Sequence, residues 1–307
     1  MASLISLDDL GKQRLDALVD RSVTLFRDRG AHDRPLAGTV AGMLFLHTST
    51  RTRLAFSSGA ARLGADIIGV GPHDLQLNTG ESLADTGRIL ASMLDLVVIR
   101  SGRSNADLRM LAQDGRLAVV NAMSVDEHPT QAVSDLATLR LRRGDLTGIR
   151  FLYVGEGNNS AVALAKALSA VPGAYATFWT PPGYGLDGAL VDRCHAAAAA
   201  AGGSVEQVHG REAVPVDVDV VYTTRWNTTG TTKSDPGWRD LFRLYHVDTA
   251  FLKAHPQALV MHDLPAHRGD EISGEVLDGP QSIAWIQAEM KLPSAMAVLE
   301  HAALERP

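Results

Sequence analysis

The sequence predicts an α/β protein built from two doubly wound parallel-sheet domains. Short apolar or β-branched runs alternate with amphipathic segments, which is typical of parallel sheets covered by helices. This series starts again after a turn at Gly144 and Asp145. The chain has 307 residues, of which 45% are hydrophobic, so it can bury a core in each of two domains.

The first domain is predicted to span residues 1–143. Its strand and helix candidates alternate in the order GMLFLH, RTRLAFSSGAARLG, DIIGV, ESLADTGRILASML, DLVVIR, VVNAM and HPTQAVSDLATLRLRR. Each strand candidate is a short apolar run, and each helix candidate has apolar residues at helical spacing. This order predicts that each strand feeds the helix that follows it.

The second domain is predicted to span residues 144–283. Its candidates run in the order IRFLYVGEG, NNSAVALAKALSAV, AYATFW, LVDRCHAAAAAAGG, VDVVYT, WRDLFRLYHVDTAFLKAH and ALVMHD. The last segment, residues 284–305, is predicted to form a helix that packs back on the first domain. Pro293 is expected to kink or split this helix, because proline lacks an N–H and its ring clashes with the preceding turn.

Composition excludes several classes of protein. The net charge is −6 and Lys and Arg form no run, which argues against general nucleic-acid binding. The single cysteine, Cys194, cannot form a disulfide within the chain. No uncharged apolar stretch approaches the roughly 20 residues that span a bilayer. MASLISLDDL does not have the pattern of a secretory signal, so we expect a cytoplasmic protein.

The stretch HTSTRTR, residues 47–53, follows a strand candidate and opens a helix candidate. The N–H groups and dipole of a helix N-terminus attract anions. Ser49, Thr50 and Thr52 add hydroxyl donors, and the guanidinium of Arg51 can grip a phosphate with two hydrogen bonds. The alternative is a capped helix start with two solvated arginines. The doubled Thr-Arg pair at the junction of strand and helix favours phosphate binding.

HTSTRTRLAF resembles the S-T-R-T-R carbamoyl-phosphate motif of the aspartate and ornithine carbamoyltransferases. Further segments agree with that family in order and spacing across nearly the whole chain: LQLNTGESLADTGRIL, VVIRSG, DEHPTQAVSDLATL, GEGNNSAVALAKAL, DVVYTTRWNTTG, HDLPAHRGDEI and QAEMK. The resemblance implies a first domain that binds carbamoyl phosphate and a second that binds an amine. It also implies a homotrimer with shared active sites, in which Gln76 enters the site of a neighbouring chain.

HPTQ, residues 128–131, follows the strand candidate VVNAM. Carbamoyl transfer needs donors aimed at the carbonyl oxygen, where negative charge grows as an amine attacks. His128, Gln131 and Arg100 have suitable side chains. The alternative is a helix start with Pro129 in its first turn. The family resemblance favours function and implies these catalytic residues: Arg51, Thr52, Arg100, His128 and Gln131.

By the same resemblance, Lys291 lies near carbamoyl phosphate, where ornithine enzymes carry an arginine. Lysine keeps the charge and loses the bidentate fork. The expected carbamoyl-phosphate site therefore comprises Ser49, Thr50, Arg51, Thr52, Gln76, Arg100, His128, Gln131 and Lys291.

The second domain contains two motifs with competing interpretations. GEGNNSA could be a dinucleotide fingerprint, but Ser160 replaces the third glycine and no acid clearly ends the following strand, so no cofactor is expected. HDLPAHRGDE invites a metal hypothesis, yet its spacing is not a zinc pattern, so no metal is expected. By resemblance, Asn159 would hold the amino acid, and the H-C-L-P-like loop would place the Leu264 carbonyl beside the reacting amine.

The acceptor region departs from the ornithine enzymes. TRWNTTG, residues 224–230, stands where they have D-x-W-x-S-M-G, so an acid is lost at Thr224. Asp263 replaces the cysteine of H-C-L-P, and its carboxylate could orient an ammonium. The Thr-Arg pair that ends in Arg225 resembles the aspartate branch, where an arginine at this position binds the side-chain carboxylate of the acceptor. The predicted acceptor residues are Asn159, Thr224, Arg225, Thr228, Thr229, Asp263 and Leu264.

These features predict a carbamoyltransferase that uses neither a cofactor nor a metal, with a specialised amino acid or a peptide-borne amine as acceptor. Such an acceptor belongs to secondary metabolism, as in the carbamoyltransferases of peptide-antibiotic pathways, and its product would be a ureido compound. Two alternatives stay open: an ornithine carbamoyltransferase that makes citrulline, and a catalytically silent subunit with this fold. Intact HTSTRTR, Arg100 and HPTQ argue against the silent subunit.

Overall fold

The structure, a computed structural model, describes residues 2–28, 33–72, 74–227 and 233–304. The chain divides into two compact units. Unit 1 comprises Met1–Arg142 and Glu289–Pro307, and unit 2 comprises Arg143–Ala288. Each unit contains one parallel sheet with helices, which confirms the predicted fold class.

Unit 1 alternates helices and strands along the chain. Two short 3₁₀ helices, Leu7–Asp9 and Gln76–Thr79, lie among its regular elements. The regular elements are α1 (Gly11–Arg27), β1 (Val40–Phe45), α2 (Thr50–Leu63), β2 (Asp66–Val70), α3 (Leu83–Met93), β3 (Leu96–Arg100), α4 (Asn105–Leu111), β4 (Ala118–Asn121) and α5 (Pro129–Arg143).

The sheet of unit 1 has the strand order β2-β1-β3-β4, and every pairing is parallel. All residues of β3 and β4 are buried, as expected for strands of a parallel sheet that is covered on both faces. Phe45 at the end of β1 is in register with Arg100 at the end of β3. The carboxyl ends of β1, β3 and β4 therefore lie along one edge of the sheet.

Unit 2 repeats this plan with five strands. Three 3₁₀ helices, Arg211–Ala213, Arg243–Tyr245 and Phe251–Ala254, lie in its connections. The regular elements are β5 (Arg150–Val154), α6 (Asn159–Ser169), β6 (Tyr175–Trp179), α7 (Gly188–Ala200), β7 (Ser204–Val208), β8 (Val220–Thr223), α8 (Trp238–Phe242), β9 (Leu259–His262), α9 (Gly274–Leu277) and α10 (Ala284–Leu304), the last of which continues into unit 1.

The sheet of unit 2 has the order β7-β6-β5-β8-β9, again with parallel pairing throughout. The chain passes from β7 at one edge back to β8 beside β5, so the strand order reverses between β5 and β8. In open α/β sheets, ligands bind outside the carboxyl ends of the strands at such a reversal. The loops that follow β5, β8 and β9 are therefore neighbours.

Three local expectations differ from the structure. The segment 238–255 forms α8 and two 3₁₀ turns instead of one helix. Strand β7, SVEQV, is absent from the predicted series because it is an edge strand with mostly polar residues. Pro293 does not split the C-terminal helix, since α10 continues through it. Fully buried residues on both sides, including Met290 and Val298, hold that helix in place.

Helix α10 belongs to unit 1 from Glu289 onward, as the sequence predicted. The backbone N–H of Ala2 donates to the carbonyl of Ala302, and Arg21 pairs with Glu300 at 2.6 Å. A side chain at Gly59 of α2 would lie 3.1 Å from Met296 of α10, so these two helices are in close contact. The position of α10 therefore brings its side chains beside α2.

Among the described residues, no helix is both long enough and apolar enough to cross a membrane.

Replacing Gly87 with Ala is expected to lower the free energy of unfolding by about 1–3 kcal/mol. A Cβ at this position of α3 would lie 2.5 Å from the carbonyl oxygen of Leu111, a backbone atom that cannot turn aside. Urea denaturation measures the effect. Gly188→Ala in α7 is the matched control, because nothing lies within 4 Å of its added Cβ. Equal midpoints for the two variants would show that α3 is not packed this closely on α4.

Candidate active site

Helix α2 begins where HTSTRTR predicted it, directly after the loop that leaves β1. Ser49 is the N-cap residue and has an extended backbone, with φ −162° and ψ 110°. Its hydroxyl makes no capping hydrogen bond, so the structure does not support the interpretation of this serine as a simple cap. The first N–H groups of α2 keep the arrangement that binds anions at helix starts. Ser49 and Arg51 are half-buried and Thr50 is exposed.

Arg100 is brought beside this helix start by the pairing of β1 with β3. The N–H of Leu46 donates to the carbonyl of Arg100 at 2.9 Å and so extends the parallel pairing by one residue. Arg100 is only 8% exposed, which is unusual for an arginine. A guanidinium at this edge supplies positive charge that water screens weakly.

The loop between β4 and His128 is held by buried hydrogen bonds. The amide of Asn121 donates to the Ile5 carbonyl at 2.8 Å. The fully buried carboxylate of Glu127 accepts hydrogen bonds from the Ser6 hydroxyl at 2.6 Å and the Leu7 N–H at 2.8 Å. Satisfied buried networks of this kind fix a unique local conformation. They determine where the next residue, His128, enters α5.

One pocket of unit 1 combines four of the predicted carbamoyl-phosphate residues. It is lined by Thr52, Ala55, Phe56, His128, Thr130, Gln131, Lys291 and Ala295. The Lys291 ammonium donates to the Gln131 side-chain oxygen, and the Gln131 amide donates to Asp135 at 2.8 Å. Since Asp135 is fully buried, this chain of bonds holds both polar groups at the pocket wall.

His128 is a neutral donor or acceptor in this pocket. Burial lowers its pKa well below the ordinary value of 6.5, and the positive charges of Arg100 and Lys291 lower it further. The hydroxyl of Thr130 lies 3.4 Å from its Nδ1 atom. A neutral imidazole beside two cations can share a hydrogen bond with an oxygen atom without adding a third charge.

The remaining predicted residues of unit 1 do not line this pocket. Ser49, Thr50 and Arg51 lie at the start of α2, of which the pocket wall includes Thr52. Gln76 is exposed in its 3₁₀ turn.

In unit 2, a chain of hydrogen bonds links the loops after β5, β8 and β9. The Asn158 amide donates to the Thr224 hydroxyl at 3.3 Å, and that hydroxyl donates to the Asp263 carboxylate at 3.0 Å. The Asn158 side-chain oxygen also caps α6 by accepting from the N–H groups of Ser160 and Ala161. Three side chains from three strand ends are thus held in one cluster.

The loop after β9 has a second set of restraints. Nδ1 of His262 accepts the Leu264 N–H at 2.8 Å, which assigns the ring proton to Nε2. Nε2 lies 3.0 Å from the buried Glu271 carboxylate, which also accepts the His267 N–H at 2.6 Å. Leu264 has φ +50°, in the left-handed region that leucine seldom adopts. These bonds fix the backbone that follows Asp263.

The other predicted acceptor residues have different environments. Asn159 is the first residue of α6, and Arg225 is half-buried after Thr224. Thr228 and Thr229 lie outside the described residues.

Sequence reasoning missed two polar residues of these clusters. Asp135 lies one helical turn after Gln131, so helical spacing could have indicated their contact. Asn158 is the second such residue, because its amide donates to the Thr224 hydroxyl, which is 66 positions away in the sequence.

Within the described parts of the chain, no group of three or more His, Cys, Asp or Glu side chains could hold a metal ion. The HDLPAHRGDE segment instead uses His262 and Glu271 as a hydrogen-bonded pair.

Two family models match the two halves of the chain. The aspartate/ornithine carbamoyltransferase carbamoyl-P binding domain matches residues 2–141, and the aspartate/ornithine carbamoyltransferase Asp/Orn binding domain matches residues 147–302. The pocket of unit 1 draws residues from both matches, because Lys291 and Ala295 belong to the second. The cluster of unit 2 lies within the second match.

Known proteins resemble the chain over nearly its whole length. An ornithine carbamoyltransferase of Symbiobacterium thermophilum is 38% identical over 298 residues, covering 96% of each chain. One from Methanoculleus marisnigri is 39% identical, covering 96% of this chain and 94% of that protein. The solved ornithine carbamoyltransferase of Pyrococcus furiosus superposes with a TM-score of 0.93 at 33% identity, covering 100% of this chain and 98% of that one.

The neutral state of His128 gives stability a defined pH dependence. Above its ordinary pKa of 6.5, the imidazole is neutral in both folded and unfolded chains. Below 6.5, the unfolded chain binds the proton while folded His128 stays neutral, so stability falls with falling pH. When the pH is lowered from about 7.5 to about 5, we expect the thermal stability of His128→Gln to fall less than that of the wild type.

The measurement is the thermal unfolding midpoint across that range. His267→Gln is the control, because the His267 side chain is 51% exposed, and it should follow the wild type. Parallel curves for the wild type and His128→Gln would mean that His128 is protonated normally in the fold.

Proposed function

Because this chain belongs to the aspartate/ornithine carbamoyltransferase family, we propose that it transfers the carbamoyl group of carbamoyl phosphate to the side-chain amine of ornithine. The products would be citrulline and phosphate. The observation that carries this proposal is the unit 1 pocket, where Thr52, His128, Gln131 and Lys291 converge. These are the types of donor that a phosphate and a polarised carbonyl require.

In the proposed reaction, Ser49, Thr50, Arg51 and Thr52 hold the phosphate group at the start of α2. Arg100, His128, Gln131 and Thr52 donate hydrogen bonds to the carbonyl oxygen, where negative charge develops. The neutral amine of the acceptor attacks the carbonyl carbon. The bond from that carbon to the phosphate oxygen then breaks, and the departing phosphate takes the proton of the amine.

Most of the rate acceleration would come from position and fixed donors, because no protein nucleophile takes part. The low pKa of His128 fits this role. A protonated imidazole would bring a third positive charge beside Arg100 and Lys291, whereas a neutral one donates through a single N–H. Lys291 would supply charge to the phosphate while its bond to Gln131 orients that side chain.

The similar proteins described above are ornithine carbamoyltransferases, which supports ornithine as the acceptor over a specialised amine. The cluster of unit 2 supports the same choice. Thr224 lacks the acid of the ornithine enzymes, yet its hydroxyl contacts the Asp263 carboxylate at 3.0 Å. A negative charge is thus present at this position, on the adjacent loop, and can hold an ammonium group.

A second candidate acceptor is a different amine, such as another diamino acid or a peptide-borne amine in antibiotic biosynthesis. The observation that favours it is the exchange of side chains at Thr224, Arg225 and Asp263. A panel assay separates the candidates: carbamoyl phosphate is supplied with ornithine, lysine, putrescine, aspartate or 2,3-diaminopropionate, and phosphate and ureido product are measured. Turnover of ornithine at least as fast as any other amine supports the first candidate, and turnover of another amine alone supports the second.

We also propose that the protein is a cytoplasmic homotrimer and that Gln76 of one chain completes the site of another. The exposed position of Gln76 is compatible with such a role. Analytical ultracentrifugation tests the oligomer. Mixing an inactive Arg51→Ala chain with an inactive Gln76→Ala chain should restore part of the activity, because mixed trimers contain some intact sites. No recovery in verified mixed trimers would contradict shared sites.

Arg51→Ala is expected to lower turnover by about 10²–10³-fold or more, because it removes the bidentate contact to phosphate. The thermal unfolding midpoint should stay close to that of the wild type, since Arg51 is only half-buried. Phosphate release with the best acceptor of the panel measures turnover. Arg62→Ala, an exposed arginine in the last turn of the same helix, is the matched control and should retain normal activity. Normal turnover of Arg51→Ala would refute this phosphate site.

Asp263→Asn is expected to raise the KM for the acceptor by about tenfold or more, because it removes the charge that holds an ammonium. The KM for carbamoyl phosphate should change little. Asp270→Asn is the control: Asp270 lies in the same loop and makes a surface ion pair with Arg239 at 2.9 Å. Equal effects of Asp263→Asn on both substrates would show that Asp263 does not act on the acceptor.

A further inference from the structure

Lys233 has an environment that is unusual for a lysine. Its side chain is only 3% exposed. Lysine is almost never fully buried unless its charge is paired. The ammonium makes an ion pair with the Glu156 carboxylate at 2.6 Å, and the Glu156 side chain is itself only 14% exposed. This pair is therefore largely removed from water, and the carboxylate compensates the charge of the buried ammonium.

Three aromatic rings surround the same ammonium. The ring centroids of Tyr184, Trp238 and Phe242 each lie 5.1 Å from the Lys233 nitrogen. Cations within about 6 Å of an aromatic face are attracted by the ring quadrupole, and aromatic cages with this geometry bind ammonium ligands. We call these three rings the aromatic cage. Together with Glu156 they form a site for one ammonium group, which Lys233 occupies.

Glu156 belongs to the loop that carries Asn158. The backbone carbonyl of Glu156 accepts hydrogen bonds from the Tyr153 hydroxyl at 2.6 Å and from the Asn158 N–H at 2.8 Å. Asn158 in turn contacts Thr224, which contacts Asp263. The ammonium site is thus two residues from the candidate acceptor cluster.

The aromatic cage is attached to the same loop on its other side. The Gly157 N–H donates to the Tyr184 carbonyl at 2.8 Å. A Cβ at Gly157 would lie 2.4 Å from the Gly185 carbonyl carbon, so the two backbones are in direct contact. Phe242 also packs against Trp226 at 5.8 Å between ring centroids, and Trp226 lies two residues after Thr224. The Lys233 ammonium therefore connects the loop that carries Glu156 and Asn158 with the segment that carries Thr224 and Trp226.

We propose that Lys233 is a positioning residue of the acceptor site, whose ammonium holds the Glu156 loop against the aromatic cage and so fixes Asn158 and Thr224. This inference rests on the proposed function for the identity of the acceptor site. The ammonium-binding character of the cage itself does not depend on it. When the Lys233 side chain is removed by mutation, the site that it leaves should bind a small primary alkylammonium ion.

The test begins with Lys233→Ala, which leaves the carboxylate and the cage without their cation. The KM for the acceptor is expected to rise by about tenfold or more, while the KM for carbamoyl phosphate stays within about twofold. Added n-propylammonium should restore the acceptor KM and the thermal unfolding midpoint in a saturable manner. n-Propanol, a neutral molecule of similar size, should restore neither at matched ionic strength. Equal rescue by the alcohol, or none by the amine, would overturn the ammonium site.

A second variant tests the same role in case Lys233→Ala does not fold. Lys233→Met combined with Glu156→Gln leaves no unpaired buried charge, so the double variant should fold. Its acceptor KM should remain raised, whereas a purely structural role would predict recovery to the wild-type value. Recovery would overturn the positioning role. Lys12→Met is the control, because Lys12 forms an exposed ion pair with Asp16 on α1.

Fluorescence of Trp238, a wall of the cage, reports propylammonium binding to Lys233→Ala without any turnover. If the wild type turns over no amine of the panel, the proposed function fails, and the fluorescence and thermal results still decide the ammonium site. If the wild type is active and propylammonium binds without lowering the acceptor KM, the positioning role fails while the proposed function stands.

Discussion

Parallel strand pairing is the constraint on which both candidate clusters depend. In a parallel sheet all strands point the same way, so the loops that leave their carboxyl ends meet along one edge. The order β2-β1-β3-β4 makes neighbours of the start of α2, Arg100 and the loop before His128. The order β5-β8-β9 does the same for Asn158, Thr224 and Asp263. Residues distant in sequence become a cluster because of the backbone hydrogen bonds behind them.

The two clusters manage charge in different ways. The unit 1 pocket is a region of positive charge: Lys291 lines it, and the nearby Arg100 also acts on His128, whose lowered pKa keeps the imidazole neutral. Such a pocket suits an anionic ligand, because the ligand itself supplies the missing negative charge. The unit 2 cluster places a carboxylate, Asp263, at the end of a hydrogen-bond chain. It suits a cationic group, and the Lys233 and Glu156 pair balances its own charge beside it.

The sequence allowed the fold class and the family to be predicted, because alternating strands and helices and a series of motifs in fixed order are local signals. The structure and the family matches confirm both. Strand β7 escaped detection since its half-exposed, polar sequence has no apolar run. The contact of Thr224 with Asp263 joins residues 39 positions apart, and the burial of Lys233 depends on three separate segments. Such contacts follow from tertiary packing and leave no periodic trace in the sequence.

The placement of α10 has a consequence for synthesis of the chain on the ribosome. Unit 2 is continuous from Arg143 to Ala288, whereas unit 1 needs residues from Glu289 onward. Domains generally fold as units while the chain emerges from its N-terminus, so unit 2 can close before unit 1 is complete. Lys291 and Ala295, two residues that line the unit 1 pocket, are synthesised after all of unit 2. A nascent chain that has not yet reached residue 289 therefore exposes HTSTRTR and HPTQ without a complete pocket, and the binding surface forms only after synthesis has passed unit 2.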